Sequence, residues 1–178
     1  MSKTQLKKEI ASLTKGQLQQ LVLEAYTARK EIKEYFDYFL NPDPQALADK
    51  FKEAVAKELD RRKRGGISKA RISVIKKLIK DFASYQPGFQ HEIDFQLFIV
   101  AYGMIVEQSL YFPEKLIENL TSFIESALEL AERNEVLEGT VGVVTRMTSD
   151  ADHGTRTYRR YIKSALEHFM STIHLPKK

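Results

Sequence analysis

The chain has 178 residues, 43% of them apolar and 29% charged, with 28 Lys and Arg against 24 Asp and Glu and no cysteine. This composition suits one folded globular domain spanning 1–178 and excludes disulfides, thiolate metal sites and cysteine nucleophiles. No apolar run approaches the roughly 18 residues a membrane span needs, and the basic start lacks an apolar h-region, so no membrane contact and a cytoplasmic location are expected.

The elements read almost entirely as helices. A short helix is expected over 4–12, loosely attached. Thr14 and Gln17 have the spacing of a capping box, in which each side chain satisfies the other's orphan backbone N–H. Behind them Leu18, Leu21, Val22, Ala25, Ile32, Phe36 and Phe39 recur at three- and four-residue steps, with one longer step, as one amphipathic helix. Asn41-Pro42-Asp43-Pro44 breaks it, and Pro44 fits the first position of the next helix. That helix carries Leu47, Phe51, Ala54, Val55 and Leu59, runs into Arg61, Arg62, Lys63 and Arg64, and is expected to end at Gly65-Gly66. Ser68 is a candidate cap for a helix with Ile72, Ile75, Leu78, Ile79 and Phe82 on one face.

After Pro87-Gly88, a more apolar helix is expected over about 90–110 in a central position. Pro113 opens the next, with Leu116, Ile117, Leu120, Phe123, Ile124, Ala127, Leu128 and Ala131 inward. Residues 136–148 read as a helix weakened by two glycines and β-branched residues. A loop over 150–154 and a helix over about 155–173 follow, with 174–178 as a loose tail. No strand alternation persists and no repeat of fixed period occurs. The expected fold is all-α: an irregular bundle or short helical-pair stack of six to seven amphipathic helices.

Charge is more organised than anything else. Residues 57–80 hold ten cations and two acids, a net +8, whereas residues 81–140 hold two cations and eleven acids, a net −9. Lys69, Lys76 and Lys80 would form a stripe on one helix face, beside Arg61, Arg62, Lys63 and Arg64 at a helix end, where cations offset the macrodipole. Arg156, Arg159, Arg160 and Lys163 form a second basic face, with Tyr158, Tyr161 and Ile162 turned inward. Glu118, Glu125, Glu129 and Glu132 form an acidic stripe. Each reads first as a solvated face. Clustered Lys and Arg also suit phosphates, through counterion release, or an acidic protein surface, and opposite stripes would let copies of the chain associate as a homo-oligomer.

Reactive constellations are scarce. Neither the Glu-x-x-His pair of di-metal bundles nor H-E-x-x-H occurs. Residues 150–154 hint at a calcium loop, but its glycine comes one place early and its twelfth position is Tyr161. Gly139 to Gly142 matches a G-x-x-G loop without the strands that such RNA binders need. His91, Glu92 and Asp94 open the apolar central helix, where acids complement the helix dipole. Tyr35, Phe36, Tyr38 and Phe39 cannot all point inward. No cofactor, metal or catalytic residue is expected.

Leu13-Thr14-Lys15-Gly16-Gln17-Leu18, Phe39-Leu40-Asn41-Pro42 and Ile67-Ser68-Lys69-Ala70 together resemble an uncharacterised all-helical bacterial family catalogued only as a domain of unknown function. The resemblance implies a helical fold and a cytoplasmic bacterial origin, and no activity. The reading is a non-catalytic binding or scaffold protein that engages an acidic partner through its basic corner, 57–80. A nucleic-acid-binding protein using the same corner is the alternative. A helical-bundle enzyme with a site near His91 is the second.

Overall fold

The computed structural model describes residues 2–150 and 152–173. Among them are nine helices: α1 (Lys3–Ala11), α2 (Lys15–Ala28), α3 (Lys30–Leu40), α4 (Pro44–Leu59), α5 (Ile72–Ser84), α6 (Phe89–Glu107), α7 (Glu114–Arg133), α8 (Leu137–Ser149) and α9 (Arg156–Ile173). The protein is all-helical, with more helices than the six or seven expected. The tail at 174–178 lies outside the described residues.

One of the additional helices comes from a break at Arg29. The backbone there is extended, at φ −141° and ψ 128°. It divides what the apolar spacing presents as one helix into α2 and α3. The capping box at the start of α2 is formed: Gln17 Oε1 accepts from the Thr14 N–H at 2.9 Å, and Thr14 Oγ1 accepts from the Gln17 N–H at 3.3 Å.

The chain clusters into two compact units, Met1–Asp43 and Pro44–Lys178. In the first, α3 turns back on α2. The Tyr26 hydroxyl donates to Asp37 Oδ1 at 2.8 Å, and the Tyr26 and Phe36 rings sit 6.4 Å apart. No described residue of this unit is buried.

The second unit is built around α6 and α7, which pack as a helical hairpin. α6 is apolar on all sides, with Ile93, Phe95, Leu97, Ile99, Val100, Met104 and Val106 buried, so it needs cover all round. α4 and α5 cover one flank, where the Phe82 and Phe95 rings meet at 4.7 Å and the Phe51 and Phe82 rings at 5.4 Å. α8 and α9 pack against α7. Tyr158, on α9, is fully buried and donates to the Val100 carbonyl at 3.3 Å. Gly103 makes this possible, since a Cβ there would collide with the Tyr158 hydroxyl. The G-x-x-G stretch is no loop: Gly139 and Gly142 lie inside α8. Among the described residues no helix is long and apolar enough to cross a membrane.

Candidate anion-binding surface

The basic corner is a small hairpin loop rather than the end of a helix. α4 stops at Leu59, before the cationic run. The chain then folds on itself. The Lys63 N–H donates to the Ile67 carbonyl at 2.8 Å, the Gly66 N–H to the Lys63 carbonyl at 3.2 Å and the Lys69 N–H to the Arg61 carbonyl at 2.7 Å. Gly65 and Gly66 form its tip at φ +86° and +72°, backbone that a side chain would strain. The loop is pinned to the turn between α6 and α7. Tyr111 donates its N–H to Gly66 at 2.8 Å and accepts from the Ser68 N–H at 3.0 Å.

Ser68 does not cap the next helix. Its hydroxyl accepts from the Ala70 N–H, and α5 starts at Ile72 behind Arg71. Lys69 therefore precedes the helix that carries Lys76 and Lys80, and the three do not form one helical stripe. All three are exposed.

Two of the corner's arginines are structural. Glu58 is 6% exposed, and its carboxylate takes Arg61 Nη1 at 2.9 Å, Arg71 Nε at 3.0 Å, Arg71 Nη2 at 2.9 Å and the Arg71 backbone N–H at 2.8 Å. These bonds, Arg71's above all, hold the Glu58 carboxyl down at about 2 despite its burial. The carboxylate thus ties the end of α4 to the start of α5. Arg62, Lys63 and Arg64 project into solvent, and no described residue forms an ion pair with them. Tyr111 beside them is 67% exposed.

The second basic cluster lines an open concavity of about 760 Å³ between α8 and α9, formed by Thr148, Arg156, Thr157, Arg159, Arg160 and Lys163. Its members differ in availability. Arg159 Nη1 donates to the carbonyls of Asp150, His153 and Gly154 at 2.9, 3.1 and 2.7 Å. The loop with a hint of calcium binding thus already holds a cation, a guanidinium. Asp150 caps that loop by accepting from the N–H groups of Asp152 and His153, and His153 beside it holds the Asp150 carboxyl below its ordinary range. Lys163 pairs with Glu167 at 3.6 Å, and the Arg160 guanidinium lies 5.9 Å from the Tyr161 ring centre. The Arg156 side chain makes no hydrogen bond or ion pair among the described residues.

The two clusters share an anchor. Tyr161 donates to Glu114 at the start of α7. Glu107 takes both the N–H and the hydroxyl of Thr155, and Gln108 donates to the Asp152 carbonyl at 2.7 Å. The hairpin loop holds Tyr111, and the entry to α9 holds Glu107, Gln108 and Glu114. Both basic elements therefore dock on the α6–α7 turn, at one end of this unit. Sequence reasoning missed Arg71, Thr148 and Thr157. Glu58, one of only two acids in the cationic stretch, was the available signal for Arg71; the threonines carry none, because only the packing of α8 on α9 places them.

Elsewhere the polar groups are ordinary. On the acidic face of α7, Glu118 pairs with Lys115 at 2.9 Å and Glu129 with Arg133 at 3.9 Å. His91 and Glu92 are half-buried at the start of α6, and burial raises the Glu92 carboxyl. Among the described residues no group of three His, Asp or Glu could hold a metal.

A family described only as of unknown function, DUF6155, matches residues 1–132. The chain belongs to that family. No curated protein and no solved structure matches it. The part of this DUF6155 protein that matches contains the hairpin loop and the α6–α7 turn, and ends within the last turn of α7; α8 and α9, with their groove, follow it.

Proposed function

We propose that this DUF6155 protein is a non-catalytic binding or scaffold protein that engages an acidic partner through its basic corner, widened by the groove between α8 and α9. One observation carries this reading: both cationic elements are anchored on the same turn, at Tyr111 on one side and at Glu107, Gln108 and Glu114 on the other. The cations free to contact a partner include Arg62, Lys63, Arg64, Lys69 and Arg156, with Lys76 and Lys80 exposed on α5. Arg61, Arg71 and Arg159 are held by protein oxygens and position the others.

A second reading, nucleic acid as the partner, is supported by the exposed ring of Tyr111 beside the loop and the Thr157 hydroxyl in the groove. Arginine forks and hydroxyls are common phosphate contacts, and an aromatic face can stack a base. The test is fluorescence anisotropy with an acidic peptide and with single- and double-stranded DNA and RNA oligonucleotides, at low and near-physiological salt. The protein would be compared with a variant carrying Arg62→Ser, Lys63→Ser and Arg64→Ser, which leaves the Glu58 bonds in place. Binding of the peptide that weakens with salt and with the substitutions supports the first reading. Binding of oligonucleotides alone, with the same two sensitivities, supports the second. No binding at low salt removes both.

A further inference from the structure

The break at Arg29 follows the Thr27 hydroxyl, which donates back to the Leu23 and Glu24 carbonyls at 3.1 and 3.0 Å and bends a helix only weakly. Residues 17–40 contain neither Pro nor Gly, the usual reasons for a sharp break. The stretch around it, Ala28-Arg29-Lys30-Glu31, is made of strong helix formers. No side chain caps the start of α3, so the bend leaves helix-end groups without side-chain partners. The contacts that hold α3 against α2 include the Tyr26–Asp37 hydrogen bond, Lys33 over the Tyr26 ring and the half-buried set of Ala25, Tyr26, Ile32 and Phe36. Leu18, Leu21, Val22, Tyr35 and Phe39 stay exposed, Phe39 at 65%.

The apolar register runs through the break without a shift. With Leu18 at position a of a heptad, Ala25, Ile32 and Phe39 also fall at a, and Leu21, Ala28 and Tyr35 fall at d. Val22 and Phe36 widen the stripe at e. Such a register, sustained over three heptads and flanked by charges, describes a helix that pairs with another. The flanking charges select a copy of itself, in one orientation. Glu24 falls at g and Arg29 at e of the next heptad, the pair that meets across a parallel coiled coil. Pairing the same helices antiparallel would set g against g, Glu24 against Glu31.

We propose that α2 and α3 straighten at Arg29 into one continuous helix over 15–40, which pairs in parallel with the same helix of a second copy, with Glu24 of each facing Arg29 of the other. Straightening restores the missing backbone hydrogen bonds around Arg29. Pairing covers the apolar stripe that the bent unit leaves in water. The bent hairpin is the form of the lone chain, and the Tyr26–Asp37 bond is exchanged for the interface.

The decisive variant is Lys30→Pro. Lys30 is the first residue of α3, a position that accepts proline, and Arg29 before it already has the extended backbone that a following proline enforces. The substitution therefore fits the bent form and forbids the continuous helix. Light scattering over a range of concentrations should give the unaltered protein a mass approaching twice 20.5 kDa, and Lys30→Pro the single mass, with matching far-ultraviolet dichroism to verify folding. Glu24→Arg should weaken the dimer several-fold, and adding Arg29→Glu should restore it. Because the chain has no cysteine, Leu21→Cys and Phe39→Cys, each made alone, should each cross-link copy to copy on oxidation. A protein that stays monomeric, a dimer indifferent to Lys30→Pro, or failure of either cysteine to cross-link overturns the proposal.

Discussion

Residues 2–43 and 44–173 are written in the same amphipathic style and end up in opposite states. The first stretch presents Leu18, Leu21, Val22 and Phe39 at helical spacing and buries none of them. The second presents Leu47, Phe51, Val55 and Leu59 in the same way and buries all four. The difference lies in the partner and not in the periodicity. α4 has α5 and α6 to close on, whereas α2 has one short helix of its own unit, α3, whose aromatic residues cover it halfway. An apolar stripe states that a face is to be covered; what covers it depends on the rest of the fold.

The comparison can be broken most strongly by truncating one residue in each region. Phe82 is 1% exposed and packs on Phe51 and Phe95, so Phe82→Ala should lower stability by about 3–5 kcal/mol in urea unfolding. Leu40, 69% exposed, should change it by less than about 0.5 kcal/mol when made Ala. Comparable losses at the two positions would mean that residues 2–43 are packed in solution.

Next in size is Glu58. Glu58→Gln leaves two half-exposed arginines without their carboxylate and should cost about 2–3 kcal/mol. The acid limb carries the same information. The Glu58 carboxyl lies lower in the folded chain than in the unfolded one, so its contribution is complete above its unfolded value and is lost as the pH falls from there through about 2. Unfolding midpoints of the protein and of Glu58→Gln should converge over that window; a constant gap down to acid pH would show that the bonds to Arg61 and Arg71 are not the cause.

Gly103→Ala tests the seating of α9. The added methyl meets the Tyr158 hydroxyl, and overpacking of this kind costs about 1–3 kcal/mol. Such a variant should also lose binding at the groove if α9 shifts, while the hairpin loop keeps its own. The smallest effect is a gain. Glu135 follows α7 at φ +61°, with its N–H bonded to the Glu132 carbonyl and that of Val136 to the Ala131 carbonyl, the arrangement that favours glycine. Glu135→Gly should stabilise by about 0.5–1 kcal/mol in the same unfolding assay. A loss would show that the Glu135 side chain contributes more than its backbone costs.

Much of the helical content was legible because periodicity and capping are local. Thr14 with Gln17, Pro44 and Pro113 mark helix starts through bonds and clashes within a few residues, and the even apolarity of α6 requires cover on all sides. The same local reading put the cationic run at a helix end and joined Lys69 to Lys76 and Lys80. It could not register that Tyr111, over forty residues away, supplies the backbone groups that fold 61–69 into a hairpin loop. It likewise joined α2 to α3, since no Pro or Gly interrupts residues 17–40. By itself the sequence determined that the protein is helical, where most helices begin and which faces are apolar or charged, because these follow from the chemistry of neighbouring residues. Only the tertiary structure decided which cations are free, since Arg71 and Arg159 are held by oxygens up to 13 and 9 positions away in the chain. It alone brought the two basic elements to one end, because the bonds that dock them on the α6–α7 turn join residues over forty positions apart.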